Sequence, residues 1–200
     1  MAAKILLASS NAGKLLEFRS LASGSAIPLE LELLPDYKTI PPFDESAPTF
    51  AENSLGKALY YSQNTRELML ADDSGLVVPS LGGRPGIHSA RYAGENATSA
   101  QRIEKLLEEM KGKKGDEREA RFVCALSVIR GNKALCVITA RTDGQILESQ
   151  RGGGGFGYDP IFFFPPLSKT FAELSASEKN LHSHRGRAFR RLLEVLPGVL

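Results

Sequence analysis

Short apolar runs alternate along this chain with segments of helical periodicity. Lys4 to Ala8 is an apolar run bounded by Ser-Ser-Asn, which predicts a buried strand. A helix is predicted to follow from Gly13, because apolar residues recur there at helical spacing. These apolar residues are Leu15, Leu16, Phe18, Leu21 and Ala22. The strand–loop–helix beginning, and the mixture of elements after it, predict the α/β class.

Capping boxes and a turn signal predict the later elements. Thr49 with Glu52, and Thr98 with Gln101, have the spacing at which a cap and a first-turn side chain bond each other. Two β-rich runs flank Gly131-Asn132 and predict a hairpin. The predicted strands are 29–34, 68–71, 121–129, 134–140 and 161–164, and the predicted helices are 49–63, 98–110 and 183–196.

The composition excludes several classes of protein. The 200 residues include 25 Lys and Arg against 23 Asp and Glu, which argues against a surface that tracks nucleic acid over its whole extent. No apolar run approaches about 18 residues, so we expect no membrane span. We also expect no signal peptide, because only four apolar residues, Ile5 to Ala8, follow Lys4 before the chain turns polar at Ser9. Cys124 and Cys136 would not face each other in the predicted hairpin, and we interpret them as core residues of a reduced, cytoplasmic protein.

Two helix starts are candidate anion sites. Ser9 to Lys14 lies between a buried strand and a helix, so its small residues would let backbone N–H groups approach a phosphate near the Lys14 charge. The alternative is a simple cap followed by a surface lysine. His184, Arg185 and Arg187 open the last helix, where the helix dipole disfavours cations unless an anion lies among them.

An acid pair follows the strand at 68–71. We predict that this strand ends at Asp72-Asp73-Ser74-Gly75, and that only one of the two carboxylates points toward a given ligand, because successive strand residues face opposite sides. Oxygen ligands at a strand end suit Mg²⁺, and Asp44 or Glu45 of a Pro-rich acidic loop could supply a second carboxylate. The alternative is ordinary turn chemistry.

Residues 152–160 place glycines on both sides of an aromatic ring. This pattern can present Phe156 as an accessible surface on which a flat base stacks, although the ring could instead pack into the core. Lys57 and Lys179 are ambiguous alone, since a lone helical lysine usually faces solvent. Helix starts, lysines, carboxylates and a stackable ring together describe a site for a nucleotide whose phosphates are held with Mg²⁺.

Six motifs resemble those of the inosine triphosphate pyrophosphatase family, which removes non-standard purine nucleoside triphosphates. They occur in the family's order over nearly the whole chain, and their joint occurrence is far more specific than any one of them. The motifs are SSNAGK (9–14), TFAENSLGKA (49–58), ADDSGL (71–76), LGGRPGIHSARYAG (81–94), GGFGYDPIF (154–162) and SEKNLHSHRGRA (177–188).

The resemblance implies an architecture and an activity. It implies one pyrophosphatase domain over residues 1–200, with two lobes, a long central mixed sheet flanked by helices, and the active site in the cleft between the lobes. It implies hydrolysis of ITP, dITP and XTP to the monophosphate and pyrophosphate, with Mg²⁺ as the cofactor. The family further implies a cytoplasmic homodimer that binds a small-molecule nucleotide and neither nucleic acid nor a membrane.

The resemblance also implies a role for each motif residue. Asp73 would be the proton acceptor and a metal ligand, and Asp44 would be the second metal ligand, with Glu45 beside it as the alternative. The residues implied to contact the phosphates and sugar are Ser9, Ser10, Asn11, Ala12, Gly13, Lys14, Lys57 and Ser74. The residues implied to hold the base are Phe156, Gly157, Tyr158, Asp159, Lys179, His184 and Arg185.

Base selection requires a buried donor aimed at the 6-oxo group. Adenine carries an amino group there, so the donor would be left without an acceptor, at a cost of about 1 to 3 kcal/mol.

Two alternative functions are compatible with a nucleotide site. One is a module that senses nucleotides without hydrolysing them, and the other is an enzyme for ordinary or pyrimidine triphosphates.

Overall fold

A computed structural model describes residues 3–25, 27–63 and 65–198 of the chain. No helix in these ranges has both the length and the apolarity that a membrane span requires. The strands are β1 Ala3–Leu7, β2 Leu29–Leu33, β3 Leu68–Val77, β4 Glu119–Arg130, β5 Lys133–Ile146, β6 Phe162–Phe164 and β7 Lys169–Thr170. The helices are α1 Ala12–Ala22, α2 Phe50–Ser62, α3 Ser99–Glu109, α4 Ala176–His182 and α5 His184–Val195.

Seven strands form one mixed sheet in the order β2-β1-β3-β4-β5-β6-β7. The strand β1 is parallel to both of its neighbours, pairing Ile5 with Leu31 of β2 and with Leu68 of β3. The strand β6 is antiparallel to both of its neighbours, with Gln145 of β5 opposite Phe163 of β6. The α/β class and the mixed sheet are therefore confirmed.

Two apolar cores contain alternate residues of the parallel strands. Ile5 and Leu7 of β1 belong to one core with Phe18 and Phe189, whose rings lie 5.2 Å apart between centroids. Leu6 of β1 belongs to a second core, which includes Ala58 and Tyr61 of α2. The same alternation continues in β3, where Leu68 and Leu70 lie in the first core and Met69 and Ala71 in the second. Strands buried on both faces explain the continuous apolar runs in the sequence.

The chain divides into two compact units. The first contains the described residues up to Asp73, Cys124–Ala140 and the described residues from His184 onward. The second contains Ser74–Val123 and Arg141–Ser183. The two cores above belong to the first unit, and a third core, rich in phenylalanine, belongs to the second.

Helix starts follow the sequence prediction closely. Thr49 caps α2, and Thr98 and Gln101 form the predicted capping box at α3. Of the apolar residues that predicted α1, Leu16 lies outside the buried face, because it is 65% exposed. Consecutive helical residues point about 100° apart, so Leu16 falls off the face on which Leu15 and Phe18 are buried.

The predicted end of the third strand is also wrong, and one helix was not predicted. The acid pair Asp72-Asp73 lies inside β3, which continues to Val77. The carboxylate of Asp72 is tolerated there because cationic side chains from α1 and α5 compensate its charge. The helix α4 begins at a capping box of Ser175 and Glu178 that the sequence analysis did not identify.

Candidate active site

The loop from Ser9 to Lys14 joins β1 to α1. Asn11 is the N-cap of α1, since its side-chain oxygen accepts a hydrogen bond from the Lys14 N–H at 3.2 Å. The Ser9 hydroxyl accepts a hydrogen bond from the Asn11 N–H at 3.0 Å. Ser9 is buried, whereas residues 10–13 are exposed. The first turn of α1 is thus open to solvent, as an anion-binding helix start requires.

Asp72 is the centre of a buried acid–cation cluster that also contains Lys14, Glu17, Cys124 and Arg185. Asp72 Oδ2 lies 3.0 Å from Lys14 Nζ and 3.0 Å from Arg185 Nε. Asp72 Oδ1 accepts a hydrogen bond from Cys124 Sγ at 3.5 Å. The carboxylate of Glu17 lies 2.6 Å from Arg185 Nη1. Since the Asp72 side chain is only 1% exposed, protein cations rather than water stabilise its charge.

The Arg185 guanidinium keeps its charge although it is buried at the start of α5. Burial by itself lowers the pKa of Arg185, but the charges of Asp72 and Glu17 outweigh this effect and hold the pKa above its ordinary value. The sequence predicts an anion among the cations at this helix start. The carboxylates of Asp72 and Glu17 are two such anions at Arg185.

Asp73 lies on the face of β3 opposite Asp72, because side chains alternate along a strand. Residues 69 and 71, four and two positions before Asp73, belong to the core that α2 covers. Asp73 Oδ2 is buried and has no hydrogen-bond partner among the described residues. Burial first, and then the negative charges of Glu45 and Asp72, raise the pKa of Asp73 to about 6, against the opposing charges of Lys14 and Lys57. A buried oxygen in this state is suited to take up a proton or a cation.

Asp44 and Glu45 differ in their surroundings. Asp44 is exposed, and its Oδ2 accepts a hydrogen bond from the Ser46 hydroxyl at 2.8 Å. Glu45 is partly buried, lies 2.6 Å from Lys57 Nζ, and contributes to the raised pKa of Asp73. The structure therefore brings Glu45, rather than Asp44, into the electrostatic neighbourhood of Asp73.

The donor set around Asp73 fits Mg²⁺ that is shared with phosphate oxygens. Mg²⁺ in proteins is usually held by one or two carboxylates together with substrate phosphates and water. In the part of the chain that the structure describes, no three or more His, Cys, Asp or Glu side chains form a cluster suited to hold a metal ion. Asp73 and Glu45 thus fit the one or two carboxylates that such a site requires.

A second group, the ring–lysine cluster, consists of Phe156, Asp159 and Lys179 in the second unit. Lys179 Nζ lies 2.7 Å from Asp159 Oδ2 and 4.5 Å from the centre of the Phe156 ring. The same Asp159 oxygen accepts a hydrogen bond from the Phe156 N–H at 2.8 Å. Phe156 is 41% exposed, whereas Asp159 and Lys179 are buried. The cluster presents an open aromatic face over a buried ion pair, as the stacking hypothesis requires.

Four other predicted residues have different surroundings. Tyr158 is buried in the core of the second unit, and its hydroxyl donates to the Ser89 carbonyl oxygen at 3.0 Å. Gly157 has a φ of 64°, which favours glycine in the turn beside the exposed ring. Ser74 lies in β3 directly after Asp73, and His184 is buried in the first turn of α5.

Only one acid of the pair was predicted to have a role, and three members of the acid–cation cluster, Asp72, Glu17 and Cys124, were not predicted. The position of Asp72 could have been predicted, because the alternation of side chains along a strand places the two acids on opposite faces of the sheet. Glu17 follows Lys14 by three positions in a helix, where side chains are neighbours. Cys124 carries no local signal, since its partner Asp72 is 52 positions away.

Comparisons with known proteins agree with the fold and the motifs. The sequence model of the Ham1 family matches residues 5–195. The dITP/XTP pyrophosphatase of Geobacillus kaustophilus is 47% identical over 191 residues, covering 96% of this chain and 93% of the relative. That of Gloeobacter violaceus is 46% identical over 189 residues, covering 94% and 92%.

Solved structures are similar over nearly the same length. A HAM1 protein from Coxiella burnetii has a TM-score of 0.86 and 38% identity, covering 98% of this chain and 99% of that one. A nucleoside-triphosphatase, or dITP/XTP pyrophosphatase, from Mycobacterium abscessus has a TM-score of 0.72 and 37% identity, covering 96% and 99%.

Proposed function

The chain belongs to the Ham1 family, and we propose that it hydrolyses non-standard purine nucleoside triphosphates to the monophosphate and pyrophosphate. Relatives at 41% to 47% identity are dITP/XTP pyrophosphatases, and they align with nearly the whole chain. The observation that most supports the activity is the buried Asp73 oxygen without a partner, beside Glu45 and the positive charges of Lys14 and Lys57. Carboxylates next to positively charged side chains are expected where a metal ion and the negative charge of phosphates must be stabilised during phosphoryl transfer.

The first unit supplies the residues for the triphosphate. The N–H groups of Ser9, Asn11 and Lys14 donate within the protein, so the backbone N–H groups of residues 12 and 13, in the open first turn of α1, are proposed to meet the phosphates. Lys14 and Lys57 add positive charge. Lys14 is already oriented by its ion pair with Asp72, so less side-chain freedom is lost when phosphate binds. Ser74, the first residue of the second unit, is also proposed to contact the phosphates or sugar.

Asp73 and Glu45 are proposed to hold Mg²⁺. When bound, the ion neutralises phosphate charge and lowers the pKa of its water. Asp73 also accepts the proton of the attacking water, and its raised pKa makes it a stronger base than an ordinary Asp once it is ionised. Lys57 holds Glu45 in place through an ion pair of 2.6 Å. Lys14 and the α1 N-terminus stabilise the departing pyrophosphate.

The ring–lysine cluster is proposed to bind the purine base. Stacking on Phe156 accepts any flat base, so discrimination must come from donors to the 6-oxo group. Lys179 is a candidate donor, held by Asp159. Tyr158 lies in the core, where it supports the segment that carries Phe156. Gly157 allows the turn beside the ring, and the roles of His184 and Arg185 at the base stay predictions of the family resemblance.

The enzyme is proposed to act as a cytoplasmic homodimer. The buried Cys124 and the partly buried Cys136 are free thiols, which suits a reducing compartment. The dimer is an expectation from the family resemblance, and light scattering of the purified protein measures it directly. A mass of one chain, 21.7 kDa, would contradict the dimer without affecting the proposed chemistry.

A substrate panel tests the proposed activity. ITP, XTP, GTP, ATP and UTP are incubated with the protein and Mg²⁺, and both the rate and the phosphate product are measured. We expect fast release of pyrophosphate from ITP and XTP and slow turnover of ATP and UTP. Equal rates on ATP would favour an ordinary nucleotidase, and tight ITP binding without turnover would favour a sensing module.

A further inference from the structure

The segment that carries Glu45 is fastened to α2 by side chains on both sides of Glu45. The Asn53 amide bonds one residue twice: its oxygen accepts from the Ala47 N–H at 2.9 Å, and its nitrogen donates to the Ala47 carbonyl oxygen at 3.2 Å. Asn53 is fully buried, so both of its polar ends depend on this contact. Position 47 is thereby fixed two residues after Glu45.

Gly56 provides the space for the other side of the segment. A Cβ atom at position 56 would lie 2.6 Å from Cζ of the Phe43 ring, too close for a normal contact. The ring has little room to move away, because it packs against the Tyr60 ring at 5.8 Å between centroids. Glycine in the interior of a helix is otherwise unfavourable, so its presence here is explained by the ring that it admits.

Two tyrosine hydroxyls complete the attachment. Tyr60 donates to the Pro41 carbonyl oxygen at 3.1 Å, and the Phe43 N–H donates to the Tyr61 hydroxyl at 3.3 Å. The segment is therefore held at positions 41, 43 and 47. Glu45 lies between these points, and its carboxylate is oriented by Lys57 of the same helix.

We propose that Asn53 and Gly56 are positioning residues that set the divalent-cation affinity of the site through Glu45. The inference rests on the proposed function, in which Glu45 is the second metal carboxylate. A carboxylate on an irregular segment can hold a cation tightly only when the segment is fixed in advance, because otherwise binding must also order the chain. The contacts of α2 on both sides of Glu45 provide this fixation.

Mn²⁺ binding to the nucleotide-free protein tests the inference without measuring turnover. Free Mn²⁺ is followed by electron paramagnetic resonance for the wild type, Gly56→Ala, Asn53→Ser and Glu45→Gln. Residues that orient a metal ligand typically change metal affinity by about 10- to 100-fold when replaced. We expect losses of this size for Gly56→Ala and Asn53→Ser, with faster amide hydrogen exchange at residues 43–47.

A second substitution distinguishes positioning from a general effect on folding. Phe43→Leu shortens the side chain that a methyl group at position 56 would meet, so the double variant Phe43→Leu/Gly56→Ala should recover Mn²⁺ affinity to within about threefold of Phe43→Leu alone. Gly24→Ala is the matched control, because a Cβ atom there meets nothing within 4 Å. This control should bind Mn²⁺ like the wild type.

The outcomes separate this inference from the proposed function. If Glu45→Gln weakens Mn²⁺ binding but Gly56→Ala and Asn53→Ser do not, the positioning role is refuted while Glu45 remains a ligand. If Glu45→Gln has no effect, the ligand assignment itself fails, and the inference fails with it. The positioning role is supported if Gly56→Ala lowers the Mn²⁺ affinity and Phe43→Leu reverses this loss. The control Gly24→Ala should then keep the Mn²⁺ affinity of the wild type.

Discussion

Replacing Asp72 by Asn removes the charge at the centre of the acid–cation cluster. The substitution keeps the size of the side chain and one hydrogen-bond acceptor, but it leaves Lys14 and Arg185 without the carboxylate that lies 3.0 Å from each. Cys124, whose thiol donates to Asp72 Oδ1, would instead face either the oxygen or the nitrogen of the new amide. We therefore expect a large loss of folding free energy with little change in shape.

The magnitude follows from the burial of the pair. Removing one partner of a buried ion pair costs about 3 to 5 kcal/mol, because the remaining charge is left uncompensated. Arg185 keeps its contact with Glu17 at 2.6 Å, so we expect the lower end, about 3 kcal/mol. For a chain of this length, this loss lowers the melting temperature by about 6 to 12 °C.

Urea denaturation at neutral pH measures the loss, with Glu32→Gln as the control. Glu32 also forms an ion pair of 3.0 Å, with Lys4, but both side chains are more than a third exposed, so its removal should barely change stability. A loss below about 1 kcal/mol for Asp72→Asn would refute the reasoning. It would mean that the cluster does not depend on the Asp72 charge.

Three further predictions concern the two proposed functional groups. In EDTA, Asp73→Asn should be more stable than the wild type by up to about 3 kcal/mol above pH 7, because the native pKa of about 6 exceeds the ordinary 3.8 and ionisation opposes folding. The difference should shrink as the pH falls toward 4, and a difference that grows would contradict the sign. Phe156→Ala should raise KM for ITP roughly fivefold with little change in kcat, since stacking contributes about 1 kcal/mol; an unchanged KM would exclude the ring from the base site. Gly155→Ala should lose about 1 to 3 kcal/mol of stability, because φ is 71° and the added Cβ would overlap Asp159, whereas Gly153→Ala, with open space, should be neutral.

Local signals predicted the helix starts well. Thr98 and Gln101 form their capping box within four residues of chain, so their geometry depends on nothing distant. The apolar runs of β1 and β3 were equally clear, because strands buried on both faces need continuous apolar residues. These features are encoded within a few positions of where they act.

Local sequence patterns could not predict which distant cations compensate the charge of a buried carboxylate. Asp-Asp-Ser-Gly has the composition of a turn, yet β3 continues through it because Lys14 and Arg185 reach Asp72 from 58 and 113 positions away. The surroundings that distinguish Glu45 from Asp44 likewise depend on Lys57, twelve positions from Glu45, which contacts it. Sequence spacing brought the right residue types into view, but only the fold decides which carboxylate faces which cation.

Hydrolysis of ITP by the wild type and by Asp73→Asn, followed by phosphorus NMR in the presence of Mg²⁺, tests the catalytic centre most directly. We predict inosine monophosphate and pyrophosphate with the wild type. With the variant, turnover should fall by orders of magnitude while the fold is retained. Orthophosphate as the first product, or full activity without the Asp73 carboxylate, would contradict the account.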